Sequence, residues 1–508
     1  MANSDEQYPA SSSPRPGLKS RVYSGVAWSV ISRAIQIGLQ FGLQVILFRL
    51  LSPDDFGLLA MIVVFTGFAA LFGEIGFSTA LIQRKEIDEE QISSVFWLNM
   101  AVGTALSIIM FLLAPLIATY YKESELTGLV RVMSAGFIMN SIGNVPLALL
   151  QRRMQFKALA KIGMLSQFGS GAVTVFLAFR GWGIWSLVVQ SLLGTSVNAV
   201  LSWVLSAWRP RFRFSLRALQ QLWSFTVNLF GFSILNYWIR NADNLLVGKL
   251  MGKVSLGVYS RAYNLMLLPI SQITGVISNV IFPTLSGIQD DKVRVKRIYL
   301  RSLSVIALIA FPIMTGMMVT ARPFVLTLFG GKWAGIIPLI QILALVGGMQ
   351  ALLNPTGWIY MSQGRTDVML RWNAFFSVIL VGGIGIGVYL GTVKSVAICY
   401  ALANLVEIYP GLRIPGKLIN MTVADTLRAV QGPLFVSAGM GVSVFGLALV
   451  LPAGWPNWLQ LVVLTTVGAA IYSSLVFGLR LQALDEVFQF GREMRSGLPL
   501  AKPVEQAL

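Results

Sequence analysis

Arg49-Leu50-Leu51-Ser52-Pro53-Asp54-Asp55-Phe56-Gly57-Leu58 closes one long apolar run of this chain and opens the next. At an offset of 200 positions, Lys249-Leu250-Met251-Gly252-Lys253-Val254-Ser255-Leu256-Gly257-Val258 does the same. Each copy reads cation, two apolar residues, a turn, an apolar residue and Gly. Identity between them is low, but the pattern and its setting agree. The repeat predicts one multi-helix lobe followed by a second of the same plan, an arrangement many transporters use around a midplane site.

The surroundings of both copies fix the class. The 508 residues are 55% hydrophobic and only 12% charged, with mean hydropathy +0.71. Soluble domains carry about 25% charged residues. The apolar residues fall in runs of about 20 or more, enough for a helix to cross a bilayer. Backbone groups in hydrocarbon must bond internally, and no alternating barrel pattern is present, so an all-α polytopic membrane protein is expected. Fourteen spans are read at roughly 23–48, 56–82, 93–119, 126–150, 157–179, 183–207, 217–247, 255–285, 298–321, 334–362, 366–390, 393–419, 428–451 and 457–479. The pattern is most interrupted between 311 and 362, by Pro312, Pro323, Pro338 and Pro355.

The expected organisation is a disordered tail over 1–20, an N-terminal lobe over 21–215 and a C-terminal lobe over 216–420. Two further spans over 421–480 and a tail over 481–508 complete it. The Ser- and Pro-rich start has too few large apolar residues to fold, and no signal-peptide cleavage pattern follows it. Of the 39 Lys and Arg, 27 fall on one side of this topology, 8 on the other and 4 within spans. That asymmetry sets the basic side and both termini in the cytoplasm. It also accounts for the net charge of +18 through basic loops beside anionic headgroups, with no nucleic acid partner.

Several chemistries are disfavoured. Cys399 is the one cysteine and histidine is absent, so neither a disulfide framework nor the usual metal ligand and general base is at hand. Gly330-Gly331-Lys332-Trp333 lacks the spacing and hydroxyl of a phosphate loop. No cofactor and no metal are expected. Loops are too short for an extramembrane catalytic domain, so the chain is expected not to be an enzyme.

Attention therefore moves to polar residues inside spans, which are costly and functional by default. The first span carries Ser29, Arg33, Gln36, Gln40 and Gln44 at steps of 4, 3, 4 and 4, on one helical face. Such a face suits phosphate and sugar hydroxyls; its bland reading is side-chain glue between helices. In the seventh span Asn236, Arg240, Asp243 and Asn244 share a face, and the 200-residue offset aligns Arg240 with Gln40 and Asn244 with Gln44. Arg240 and Asp243 could instead pair with each other one turn apart. Arg261 opens the eighth span. Glu74, deep in the second, is read either as a charge partner for Arg33 or as a protonatable coupling group, and Asp243 has the same two readings. Glu407, near the inner end of span twelve, is read as solvated at headgroup level. Cations outnumber acids, which favours an anionic headgroup over an organic cation as cargo.

The motifs also carry a resemblance. Gly25-Val26-Ala27-Trp28-Ser29, the 48–58 segment, Gly76-Phe77-Ser78-Thr79-Ala80-Leu81-Ile82-Gln83-Arg84, Tyr120-Tyr121 and Leu149-Leu150-Gln151-Arg152-Arg153 resemble the polysaccharide transporter family. This family, the Wzx-type flippases, belongs to the multidrug/oligosaccharidyl-lipid/polysaccharide exporter superfamily. Asn241-Ala242-Asp243-Asn244-Leu245-Leu246-Val247-Gly248 and Phe282-Pro283-Thr284-Leu285-Ser286 extend the likeness. It runs over about 20–420 and is closest to the colanic-acid/exopolysaccharide subgroup.

The resemblance implies two six-helix lobes in a V with two trailing helices. It implies an inner-membrane flippase moving an undecaprenyl-pyrophosphate-linked repeat unit for polysaccharide biosynthesis. Lipid-II-flippase relatives place arginines on helices one and eight, which points to Arg33 and Arg261. The expected substrate-binding set is Arg33, Gln36, Gln40, Gln44, Arg240, Asn244 and Arg261, with Gly57 and Gly257 as hinges of an alternating-access motion. The lipid-linked oligosaccharide, membrane lipids and, as assembly partners, a polysaccharide polymerase and other assembly proteins complete the picture. The rivals are a membrane glycosyltransferase or polymerase, with Asp54 and Asp55 as its acids, and a small-molecule exporter of the same superfamily.

Overall fold

The computed structural model describes residues 35–73, 81, 87–452, 454–481, 483, 484 and 486. Within Leu216–Gly287 the backbone alone is described at 216–233, 235, 236 and 239. Arg33, Glu74, the tail over 1–20 and most of the tail over 481–508 lie outside the described residues.

The chain forms α1 (Ile35–Leu50), α2 (Pro53–Gly73), α3 (Glu89–Tyr121), α4 (Leu126–Arg152), α5 (Phe156–Phe179), α6 (Ile184–Ser206) and α7 (Leu216–Gly287). It continues through α8 (Lys292–Val319), α9 (Ala321–Leu328), a 3-10 turn (Gly331–Ile336), α10 (Ile337–Leu353), α11 (Thr356–Ser362) and α12 (Thr366–Tyr389). It ends with α13 (Val393–Leu418), α14 (Val423–Val450) and α15 (Asn457–Gly478). Among the described residues there is no strand, and twelve helices are long and apolar enough to cross a membrane.

These twelve and the fourteen expected spans reconcile in two places. The first span is described from Ile35 onward, as α1. The seventh and eighth run together as α7, interrupted at Gly252 with φ 81° and ψ 178°. That conformation is open to glycine and strained for other residues. Elsewhere capping chemistry sets the ends. Asp88 and Gln91 form a capping box at the start of α3, as do Thr422 and Asp425 at α14, satisfying amides that have no helical partner. The prolines of 311–362 act as punctuation: α8 runs through Pro312 to Val319, while Pro338 opens α10 and Pro355 precedes α11. Proline suits a first helical turn because its missing N–H has no partner there anyway.

The chain divides into two compact units, Met1–Gly257 and Val258–Leu508. In the first, α3 packs on α4, α4 on α6 and α5 on α6. Small residues let these backbones approach, as is common in membranes. A Cβ on Gly103 would overlap the Ser141 hydroxyl, and one on Gly143 would lie 3.0 Å from the Ala199 Cα. The α1 helix lies on α5, with the Gln36 amide nitrogen over Gly163 and Leu43 over Gly171. In the second unit α8 is central, packed by α10 and α14, with α12 and α10 on α13. The α15 helix is peripheral, its hydrophobic window only 17% buried against 56% for α8. It is nonetheless tied in, since the Tyr472 hydroxyl donates to the Leu308 carbonyl at 2.6 Å.

The doubled segment meets itself within the first unit. A Cβ on Gly57 would run into the Lys253 carbonyl. A Cβ on Gly257 would run into the Pro53 carbonyl and lie 3.0 Å from the Gly57 amide nitrogen. The offset of 200 that maps Gly57 onto Gly257 also maps Pro53 onto Lys253, so the two contacts are one contact repeated, as across a two-fold axis. Both glycines sit inside helices. They are required by close approach; the positive φ belongs to Gly252.

Gly57→Ala and Gly257→Ala are each expected to destabilise the protein by about 1–3 kcal/mol or more, the range for forced overpacking. Gly275→Ala, at a helical position with open space around it, is expected to be neutral or stabilising. Thermal unfolding of the purified protein in detergent reads both, and equal midpoints for all three variants would show that the crossing is not tight.

Candidate functional site

The first unit holds most of the candidate residues. On α1, Gln40 is exposed while Gln36 and Gln44 are half-buried. The buried side of the same helix is apolar, with Leu47 and Phe48 in the core and Phe48 stacked on Phe56 at 5.1 Å. On α7, Arg240 is exposed and Asp243 is buried. The Asp243 carboxylate accepts from the Asn244 amide at 2.7 Å. Asn244 is half-buried, and its own side-chain oxygen is shielded, with no hydrogen-bond partner among the described residues.

Gln44 and Asn244 each precede their glycine, Gly57 or Gly257, by thirteen positions. The two polar faces thus run toward the same backbone crossing. Among the described residues no hydrogen bond links Gln40 or Gln44 to Arg240 or Asn244; the crossing is what relates them. Arg261 belongs to the second unit, on α7, half-buried with its Nε shielded from solvent. The backbone at Asn236 is helical.

Asp54 and Asp55 have a structural job. The Ser52 amide and hydroxyl donate to the Asp55 carboxylate at 2.9 and 2.8 Å, and the Asp55 amide donates back to the Ser52 hydroxyl at 3.4 Å. With Pro53 between them this is a capping box at the start of α2, and a carboxylate there also meets the positive end of the helix dipole.

The crossing is buttressed by residues that periodicity did not single out. Lys249 donates to the Tyr120 carbonyl and lies 4.4 Å from the centre of the Tyr120 ring. Lys253 pairs with Glu123 at 3.0 Å. Tyr120, Tyr121 and Phe65 form an edge-to-face cluster, and Tyr121 packs on Gly248. One helical stretch away, the Tyr237 hydroxyl donates to the Val63 and Val64 carbonyls at 3.0 and 2.7 Å, beside Phe68 and Trp238. The α3–α4 turn and both copies of the doubled segment therefore form one cluster. Its sequence clues are Lys249 and Lys253 in the doubled segment and the Tyr120-Tyr121 doublet.

A profile of the polysaccharide biosynthesis protein family matches residues 46–338, more than half of the chain. The chain belongs to that family. Similar proteins include the teichuronic acid biosynthesis protein TuaB of Bacillus subtilis, 28% identical with 85% of this chain and 90% of that protein covered. The lipopolysaccharide biosynthesis protein WzxC of Escherichia coli is 28% identical, with 85% and 89% covered. The succinoglycan biosynthesis transport protein ExoT of Rhizobium meliloti is 29% identical, with 90% and 92% covered. Among solved structures, the inward closed lipid II flippase MurJ aligns with a TM-score of 0.71 at 13% identity, covering 89% of this chain and 99% of that one. An inward-facing multidrug MATE transporter aligns at 0.63 and 17% identity, covering 77% and 98%. At such identities the likeness establishes the fold, a helical membrane-transporter fold.

In this family member the second unit holds a further polar group. Gln350 of α10 donates to the Tyr400 hydroxyl at 3.0 Å, and the Tyr263 and Tyr400 hydroxyls are 3.3 Å apart. Asn404, buried, donates to the Tyr400 carbonyl at 2.8 Å.

For the Lys253–Glu123 pair, with both side chains about a quarter exposed, a coupling of about 0.2–1 kcal/mol is expected. A double-mutant cycle of Lys253→Gln and Glu123→Gln, read by unfolding in detergent, measures it; perfect additivity would show that the pair does not couple.

Proposed function

We propose that the chain is a flippase of the bacterial cytoplasmic membrane. Its cargo is an undecaprenyl-pyrophosphate-linked oligosaccharide repeat unit, moved for polysaccharide biosynthesis. The observation that carries this reading is the breadth of the kinship. Relatives named for teichuronic acid, lipopolysaccharide and succinoglycan synthesis align over 85–90% of the chain. The lipid II flippase fold aligns over 89%. Those names share polysaccharide biosynthesis and not any one sugar.

The chemistry of the faces fits such a cargo. Arg240, exposed on a membrane-crossing helix, is a fixed cation with a planar fork of donors, suited to pyrophosphate. Gln36, Gln40, Gln44 and Asn244 offer donors and acceptors for sugar hydroxyls. Arg33 and Arg261 would add cations to the same task, and Asp243, already accepting from its neighbour, would moderate them. Transport is by alternating access, with the glycine crossing as the pivot, the basic loops and both termini in the cytoplasm, and a polymerase as the acceptor of flipped units.

The enzyme reading loses Asp55, because its capping interaction with Ser52 explains why a carboxylate stands there, and Asp54 is its neighbour in the first turn of α2. A drug exporter has a related fold, but the cationic balance of the faces suits an anionic headgroup.

Arg240→Ala, and Arg33→Ala beside it, are expected to abolish surface polysaccharide and leave lipid-linked repeat units facing the cytoplasm. Polymer yield and the accessibility of those units to a sugar-specific probe on each side of the membrane test this. Normal export in both variants would sink the proposal. Formation of new glycosidic bonds from labelled lipid-linked sugar by the purified protein would favour the enzyme.

A further inference from the structure

The connection from α6 to α7 reads Ala207-Trp208-Arg209-Pro210-Arg211-Phe212-Arg213-Phe214-Ser215. It is strapped to the start of α3 at several places. The Trp208 indole is buried, 5.7 Å from the Phe96 ring, and donates to the Glu89 carboxylate at 2.8 Å. The Arg211 amide donates to the Ser93 hydroxyl at 3.2 Å, and the Ser215 amide to the Ser94 hydroxyl at 3.0 Å. Trp97 of α3 donates in return from its indole to the Arg211 carbonyl at 2.9 Å. Arg209 folds back, donating to the Trp203 and Trp208 carbonyls at 3.2 and 2.9 Å. A connection whose backbone groups are paired in this way holds a fixed path.

What the strap presents outward is an alternation of cation and ring. Arg211 and Arg213 are exposed, Phe212 is 92% exposed and Phe214 54%. Phe212 stacks on Trp97 with ring centres 5.0 Å apart. Beside the strap, the Arg153 guanidinium donates to the Ser206 carbonyl at 3.2 Å, which brings the α4–α5 turn alongside. That turn exposes Met154, at φ 52°, with Lys157 and Lys161 exposed just beyond it on α5. Two neighbouring connections thus share one make-up, apolar tips set among cations, and exposed apolar groups gathered in one place mark an interaction surface.

This surface cannot neutralise itself. From Leu126 to Ala242 the sequence carries no acidic residue. Among the described residues of the first unit, the acids at this end are those that open α3. Asp88 caps the helix, accepting from the Gln91 amide at 2.6 Å, Glu89 is taken by Trp208, and Glu90 is exposed. Among the described residues no ion pair or hydrogen bond engages the Arg211 or Arg213 guanidinium. A free phosphate would satisfy these cations and leave the rings in water. A solvated basic loop, the ordinary device for setting orientation, has no use for rings at its tip.

Ser206 ends a helix long and apolar enough to cross a membrane, and Phe212 and Phe214 follow within the next eight residues, close to headgroup depth. Arginines interleaved with aromatic rings suit that zone, the charge toward phosphate and the ring toward the acyl boundary. We propose that residues 208–214 form an interfacial anchor selective for anionic phospholipid. Arg211 and Arg213 meet the lipid phosphates, and Phe212 and Phe214 dip between them toward hydrocarbon. The partner is an anionic lipid of the bilayer itself, so the anchor holds whatever the chain transports. Its consequence is mechanical. The segment joining α6 to α7 is gripped by α3 on one side and by the membrane surface on the other, and the anionic lipid content of that leaflet sets how firmly it is pinned.

The test uses the full chain in nanodiscs of phosphatidylcholine alone or of equal parts phosphatidylcholine and phosphatidylglycerol. Cys399 is the one cysteine, so Phe212→Cys in a Cys399→Ser background takes a single apolar fluorophore. Phe214→Cys provides a second site should the first variant fold poorly. Acrylamide reads exposure of the probe to water, and trace nitroxide lipids of either headgroup read its lipid neighbours. In mixed discs the probe is expected to be shielded from acrylamide. It is expected to be quenched several-fold more strongly by nitroxide phosphatidylglycerol than by nitroxide phosphatidylcholine. Arg211→Gln together with Arg213→Gln is expected to bring that ratio close to one, each cation near a charged surface being worth about fivefold. Added salt is expected to lower the ratio when both arginines are present. Equal quenching by the two lipids with both arginines present, or a ratio unchanged in the double variant, would overturn the anchor. A probe open to acrylamide in mixed discs but shielded in native membranes would assign the strap to a protein partner and overturn it as well.

Discussion

The structure depends on a place where two helices touch through their backbones. Gly57 lies against the Lys253 carbonyl and Gly257 against the Pro53 carbonyl. Nothing larger than hydrogen fits at either position. The residues clustered there are arranged around that contact. The Ser52–Asp55 box fixes the start of α2. Gly252 turns α7. Lys249 and Lys253 bind the α3–α4 turn through Tyr120 and Glu123. In hydrocarbon there is little hydrophobic drive to press helices together, so close packing and polar ties must do it. A backbone-to-backbone crossing, with one ion pair and one lysine–carbonyl hydrogen bond at its rim, supplies both.

From this crossing the two polar faces extend in step. Gln44 and Gln40 lie behind Gly57, Asn244 and Arg240 behind Gly257, at the same spacings. The two segments are alike in spacing and differ in charge at one matched position, Gln40 against Arg240.

How much of this was legible in the sequence follows from which forces act along the chain and which across it. Spans were legible because each must be about 20 apolar residues long, and Pro312, Pro338 and Pro355 disturbed the pattern without disturbing the path. The capping role of Asp55 was legible as turn chemistry because it is local. The repeat at 49–58 and 249–258 was visible, yet not that its copies touch, since 200 residues of intervening chain hide the pairing. Tyr237 reading the Val63 and Val64 carbonyls left no periodic trace. Arg33 and Glu74 were legible as candidates but lie outside the described residues.

The repeated contact has an evolutionary consequence. Gly57 is opposed by the carbonyl of position 253 and Gly257 by that of position 53. Any residue supplies a carbonyl, and these two positions differ, Pro53 against Lys253. The constraint on sequence therefore falls on the two glycines, 200 positions apart, which answer to one crossing.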